Sequence, residues 1–179
     1  MKIKTNFRWV IKIVLISVAV TMAFTLASTE VLGRAGYVVA FAILVAFILL
    51  GILFDIIGIA VTAATEAPFH SMAAHRERGS AEALRLIKNA NKVSSFCNDV
   101  VGDVSGIVSG STAALLAARL MQGISTVNLV VPLLISGAVT GLTIGGKALG
   151  KTTAINNSTA IVFQVGKILN FLRFKPYSR

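Results

Sequence analysis

The sequence predicts an all-α membrane protein: a polytopic helical bundle with four transmembrane helices and amphipathic helices at the membrane surface. Two observations support this prediction. Hydrophobic residues make up 55% of the 179 residues and charged residues only 13%, which leaves too little polar surface to enclose a water-soluble core. Fifteen of the 17 basic residues also lie near the two ends of the chain or in one central segment. That distribution is typical of a chain that crosses a bilayer several times.

Four stretches are long and apolar enough to cross a bilayer, which takes about 20 helical residues. They cover residues 10–27, 36–64, 93–118 and 125–146. Basic residues precede the first stretch and small residues follow it, so a cleaved signal peptide is the alternative interpretation. We expect the first stretch to be retained because it completes the charge pattern. It would then form an extra transmembrane helix, residues 1–35, before a second region, residues 36–179.

The positive charges predict the orientation in the membrane. All but two of the 17 Lys and Arg residues lie before or at the start of the first stretch, between the second and third, or after the fourth; the exceptions are Arg34 and Arg119. The positive-inside rule therefore places both termini and the central segment in the cytoplasm, and we expect a plasma-membrane protein. The net charge of +10 does not indicate nucleic-acid binding, because no soluble basic face is present. The predicted partner is the lipid bilayer.

Shorter amphipathic helices are predicted next to the apolar stretches. The central segment, residues 66–92, accommodates two, since Pro68 ends the preceding helix and Gly79 separates them. Residues 155–173 predict a third, because apolar residues recur there at helical spacing. All three are expected to lie along the inner membrane surface.

Glycines recur at every fourth position in the third and fourth stretches. They are Gly102, Gly106 and Gly110, and Gly137, Gly141 and Gly145. Helices in lipid pack closely through small residues, because apolar burial drives little association there. We expect these two glycine stripes to pack on each other or across a dimer axis. The alternative is that they thin the wall of a cavity.

Acidic and other oxygen-bearing residues in the apolar stretches are the functional candidates, because an ionised group in lipid is costly unless it is paired or hydrated. The predicted metal ligands are Thr65, Glu66, Asn98, Asp99 and Asp103. Asp99 and Asp103 are four residues apart and share a helix face. Such oxygens suit Mg²⁺, Ca²⁺ or Na⁺. The alternative is that Asp99 simply bonds with Asn98 or with a basic residue at the interface.

The remaining polar residues give weaker signals. Thr62, a turn before Glu66, is a candidate to modulate the site, whereas Asp55 is expected to be paired or to reach the interface. Cys97 is expected to be a buried free cysteine, and no third histidine or cysteine accompanies the two histidines at zinc spacing. No constellation of nucleophile and base indicates an enzyme.

The central segment resembles a known family. Residues 64–103 read ATEAPFHSMAAHRERGSAEALRLIKNANKVSSFCNDVVGD, which is similar to the membrane domain of the CorC and cyclin M magnesium transporters. Thr65 and Glu66 fall on the family's Ser-Glu pair and Asn98 on its span-opening Asn. The stretch GGKALGK at 145–151 is similar to the family's Gly-Glu-x-x-Pro-Lys turn, which an amphipathic helix follows.

The resemblance implies a homodimer with a magnesium site near the membrane centre and Na⁺ as a candidate coupling ion. Three residues depart from the family: Lys147 stands in place of glutamate, Gly150 in place of proline and Gly102 in place of a second asparagine. Lys147 could repel a divalent ion or pair with Asp99 or Asp103. The family's cytosolic CBS pair is also absent from the sequence, which implies a separate cytosolic regulatory partner.

The sequence thus predicts a transporter of divalent cations that is reduced to its membrane domain, with magnesium as the expected ion. The alternative is a non-transporting membrane scaffold or regulatory subunit that has lost the ion site.

Overall fold

The computed structural model describes residues 7–34, 36–121 and 130–172, and every regular element within them is helical. The elements are α1 (Phe7–Arg34), α2 (Tyr37–Ala63), α3 (Ala67–Ala74), α4 (Ser80–Lys88), α5 (Ala90–Ser95), a π-helical segment (Phe96–Gly102), α6 (Asp103–Leu120), α7 (Val130–Asn156) and α8 (Ser158–Leu172). The prediction of an all-α fold is confirmed.

Four helices in the described residues are long and apolar enough to cross a membrane. They are Trp9–Glu30, Tyr37–Ala63, Ala90–Leu120 and Val130–Asn156. The third comprises α5, the π-helical segment and α6. These spans confirm the four predicted stretches, although residues 125–129 of the fourth lie outside the described part.

The end of the fourth span differs from the prediction. α7 continues through residues 145–151 to Asn156, and the break falls at Asn157 instead of at the expected turn. A glycine only weakens a helix, whereas a proline removes a backbone donor and breaks it. Because residue 150 is a glycine and not a proline, the backbone does not force a break there and the helix continues. α8 covers most of the predicted amphipathic helix over residues 155–173, of which residue 173 is not described.

The chain divides into two compact units, each built from two parts of the sequence. The first contains the described residues of Met1–Ile52 and Asp99–Gly146, and the second contains those of Leu53–Asn98 and Lys147–Arg179. The proposed separation of residues 1–35 from residues 36–179 stays a prediction.

The first unit packs one face of α2 against α6. Its buried core comprises Ala40, Leu44, Ile48, Ala113 and Leu116. The three α2 residues are four apart and therefore share one helix face. α1 packs against α6, and Phe24 meets Phe47 edge to face with ring centroids 5.5 Å apart. Most large side chains of α1 stay exposed, which suits a surface that faces lipid.

The second unit has a core built from α2, α3, α4, α7 and α8. Its buried residues are Ala60, Val61, Phe69, Ala83, Ala154 and Val162. α3 carries Pro68 in its first turn, where the missing amide hydrogen is not needed. Gly79 precedes α4 with a φ of +94°, a left-handed conformation that favours glycine. The two predicted short helices of the central segment are confirmed.

The glycine stripes do not pack on each other within one chain. A Cβ atom added at Gly106, Gly110, Gly137, Gly141 or Gly145 would meet no atom within 4 Å. Gly102, by contrast, is buried. Contact across a dimer axis therefore remains the prediction for the open positions.

Candidate functional site

Asn98 is the predicted ligand whose side-chain amide is only partly hydrogen-bonded. It lies in the π-helical segment Phe96–Gly102, within the third span. Its Nδ2 donates a hydrogen bond to Oγ of Ser94 over 3.3 Å. Its Oδ1 is buried and has no hydrogen-bond partner among the described residues. A buried acceptor without a partner costs about 1–3 kcal/mol, so this atom suits a place where a water or a cation binds.

Gly58 in α2 leaves the room that the carboxamide of Asn98 occupies. A Cβ atom at Gly58 would overlap Oδ1 of Asn98 and would lie 2.9 Å from its Cγ. The amide can therefore approach the α2 backbone only because residue 58 has no side chain. π-helical segments are rare and occur frequently at functional sites.

Thr62 lies one turn after Gly58 on α2. Its hydroxyl donates to the carbonyl oxygen of Ile59 over 2.8 Å, and the residue is exposed. Because the hydroxyl proton is committed to the helix, the oxygen presents its lone pairs outward. That orientation is compatible with the predicted role near a cation.

Thr65 and Glu66 follow the end of α2 at Ala63. Both residues are exposed. Oε2 of Glu66 lies 3.4 Å from Nε2 of His70, one turn later in α3. The predicted ligand Glu66 therefore already has a polar neighbour, the imidazole of His70.

Asp99 and Asp103 lie on either side of the change from π-helix to α-helix, since the π-helical segment ends at Gly102. Both are exposed. Neither forms a hydrogen bond or ion pair among the described residues. They belong to the first compact unit, whereas Thr65, Glu66 and Asn98 belong to the second.

The described residues contain no group of three or more His, Cys, Asp or Glu side chains that could hold a metal ion. A site in this part of the chain would therefore use at most two carboxylates, together with amide, hydroxyl or backbone oxygens.

A second polar pair lies between α2 and α7. Nζ of Lys147 is 3.8 Å from Oδ1 of Asp55, and the side chains retain 27% and 16% of their exposure. The expectation that Asp55 is paired is confirmed. The structure gives Lys147 this partner and not Asp99 or Asp103. Pairing lowers the cost of placing either charge inside an apolar span.

Sequence reasoning did not identify Gly58 or Ser94 as parts of the site. Ser94 precedes Asn98 by four residues, and this spacing was the available signal for a side-chain contact on a helix. Cys97 is buried and forms no disulfide, as expected.

Comparisons with protein-family models, with curated proteins and with solved structures found no match to this chain. The similarity to the CorC and cyclin M membrane domain accordingly stays a prediction.

Proposed function

We propose that this protein transports a divalent cation through a membrane domain of the CorC and cyclin M type, with magnesium as the expected ion. One observation supports the proposal above all. The predicted span-opening ligand Asn98 has a buried Oδ1 that packs against Gly58 of α2 and has no hydrogen-bond partner among the described residues. An amide oxygen is a hard ligand, and a hard cation prefers such oxygens.

The sequence predicts Thr65, Glu66, Asp99 and Asp103 as further ligands of the transported ion. Asn98 supplies a neutral oxygen, and one or two carboxylates supply the charge. A Mg²⁺ ion would complete its octahedral shell with retained waters. This weakly charged arrangement suits a transported ion, which must be released as well as bound.

The remaining parts of the proposal follow from the sequence. The protein acts in the plasma membrane as a homodimer, with both termini in the cytoplasm, and Na⁺ is its candidate coupling ion. A separate cytosolic protein provides regulation.

Binding can be tested by thermal unfolding of the purified protein in detergent with and without Mg²⁺. A ligand that binds only the folded state and is present at about 100 times its Kd raises the unfolding free energy by about 2.7 kcal/mol. Wild type should therefore unfold several degrees higher in Mg²⁺. Asn98→Leu should lose this shift, while its stability without Mg²⁺ should change by less than about 1 kcal/mol, since removal of the unsatisfied acceptor offsets the loss of the hydrogen bond to Ser94. Asn91→Ala, an exposed asparagine of α5, is the control.

The carboxylates provide a second arm of the same experiment. At least one of Asp99→Asn and Asp103→Asn should abolish the Mg²⁺-dependent shift, because each removes a charge at constant size. Asp55→Asn should leave the shift in place. If Asp55→Asn were the only variant to lose the Mg²⁺-dependent shift, the cation would bind at Asp55, beside Lys147, and not at Asp99 or Asp103.

The alternative function is a non-transporting scaffold or regulatory subunit. The ion pair of Asp55 with Lys147 favours it, because an acid inside the second span is then neutralised by the chain itself. Lys147→Glu would place two carboxylates side by side. Wild type without any Mg²⁺ response, together with a response created by Lys147→Glu, would establish the scaffold in place of the transporter.

A further inference from the structure

A groove opens between α4 and α5 on one side and α8 on the other. Close to this groove, the residues at the start of α4 approach the backbone of α8 closely. A Cβ atom at Gly79 would lie 2.7 Å from the backbone nitrogen of Lys167, and one at Gly166 would lie 3.1 Å from Cβ of Ala83. The groove is open on one side and has a volume of about 460 Å³. This volume falls within the range of about 300–1,000 Å³ that is usual for small-molecule sites.

The floor of the groove is apolar. Leu86 and Val93 line it from one side, and Leu169 and Leu172 line it from the other. Leu172 remains 68% exposed. Such a row of apolar side chains along a groove fits a hydrocarbon chain better than a polar solute.

The position of the groove in the chain places it at a membrane surface. α4 belongs to the connection between the second and third spans, and α8 follows the fourth span. A connection between two spans lies at a face of the bilayer, where headgroups and the first part of the acyl chains are both within reach.

Two opposite charges line the polar side of the groove, Glu82 and Arg85. They are three residues apart on α4 and therefore share a face. They form no ion pair with each other or with any other described residue. A guanidinium binds a phosphate through two parallel hydrogen bonds, and a carboxylate can accept from an ammonium group. The groove thus presents complementary partners for both charges of a zwitterionic headgroup.

We propose that this groove binds one phosphatidylethanolamine molecule, with its phosphate on Arg85, its ammonium group on Glu82 and one acyl chain along Leu86, Val93, Leu169 and Leu172. The site is independent of cation transport. Phosphatidylglycerol has a neutral glycerol in place of the ammonium group and so leaves the charge of Glu82 without a counter-ion, and phosphatidylcholine has no N–H group to donate to Glu82.

Native mass spectrometry of the full chain, stripped of lipid in detergent, tests this site. The probes are phosphatidylethanolamine, phosphatidylglycerol and phosphatidylcholine with identical acyl chains. We expect a one-to-one adduct with phosphatidylethanolamine at least about tenfold tighter than with the other two, since a tenfold step corresponds to about 1.4 kcal/mol, close to the least that one hydrogen bond to a charged group contributes.

Three variants assign the contacts. Arg85→Gln should weaken phosphatidylethanolamine binding about tenfold, and Glu82→Gln should abolish the preference over phosphatidylcholine. Leu169→Trp should block the acyl chain and weaken all three lipids. Lys88→Gln, an exposed neighbour on α4 that does not line the groove, is the matched control. Unchanged binding in Arg85→Gln, equal binding of the three lipids by wild type, or an equal loss in Lys88→Gln would overturn the proposal.

Discussion

Nζ of Lys147 in α7 lies 3.8 Å from Oδ1 of Asp55 in α2, so two spans are joined by an ion pair within otherwise apolar surroundings. Removing one partner leaves an uncompensated charge. A fully buried pair loses about 3–5 kcal/mol in that case. Because both side chains here retain some exposure, we expect a loss of about 1–3 kcal/mol in the unfolding free energy of Asp55→Asn or Lys147→Met.

A double-mutant cycle in detergent measures this coupling. The variant that carries both Asp55→Asn and Lys147→Met should be more stable than either single variant, since it leaves no orphaned charge. Lys151→Met, at an exposed position one turn further along α7, should have little effect. Additive losses would show that the two side chains do not interact.

The helices and the site could be predicted from the sequence to different degrees. Hydropathy predicted the four spans, because a membrane span depends on composition over about 20 residues. The end of α7 was placed ten residues too early, because a glycine pair was interpreted as a turn that only a proline would enforce. The contact of Asn98 with Gly58 and the partner of Asp55 depend on how distant helices pack. A single sequence does not provide that information.

A second prediction concerns Gly58. Gly58→Ala adds a Cβ atom that would overlap the carboxamide of Asn98. We expect it to lower the unfolding free energy by about 1–3 kcal/mol, as overpacking does, and to remove the Mg²⁺-dependent thermal shift. Gly36→Ala, where a Cβ atom meets nothing within 4 Å and which lies outside the glycine stripes, should leave both quantities unchanged. Equal behaviour of the two variants would show that Asn98 has space to move away from α2.

A third prediction concerns association through the glycine stripes. Gly106→Leu and Gly141→Leu add bulk at positions that are open within one chain, so the fold of the single chain should persist. If these stripes meet across a dimer axis, both variants should shift the mass in detergent from dimer to monomer. Light scattering checks this, with Gly36→Leu as an open position outside the stripes. Dimers in both stripe variants would place these glycines against lipid or a cavity.

A fourth prediction concerns orientation. In a Cys97→Ala background, Gly36→Cys should react with an impermeant thiol reagent added to intact cells, because the start of α2 is expected outside. Glu77→Cys, in the central segment, should react only after the cells are opened. Both positions are exposed, so the reagent can reach either one from its own side. Labelling of Glu77→Cys in sealed cells would reverse the topology.

The most direct test of the proposed function is Mg²⁺ flux into proteoliposomes that contain only this protein. Wild type and Asn91→Ala should both pass Mg²⁺ at a rate above that of protein-free vesicles. Asn98→Leu should lose most of that flux while keeping its thermal stability without Mg²⁺. Flux by wild type that Asn98→Leu fully retains would contradict the role of Asn98, and no flux by wild type in the presence of a Na⁺ gradient would contradict the transporter itself.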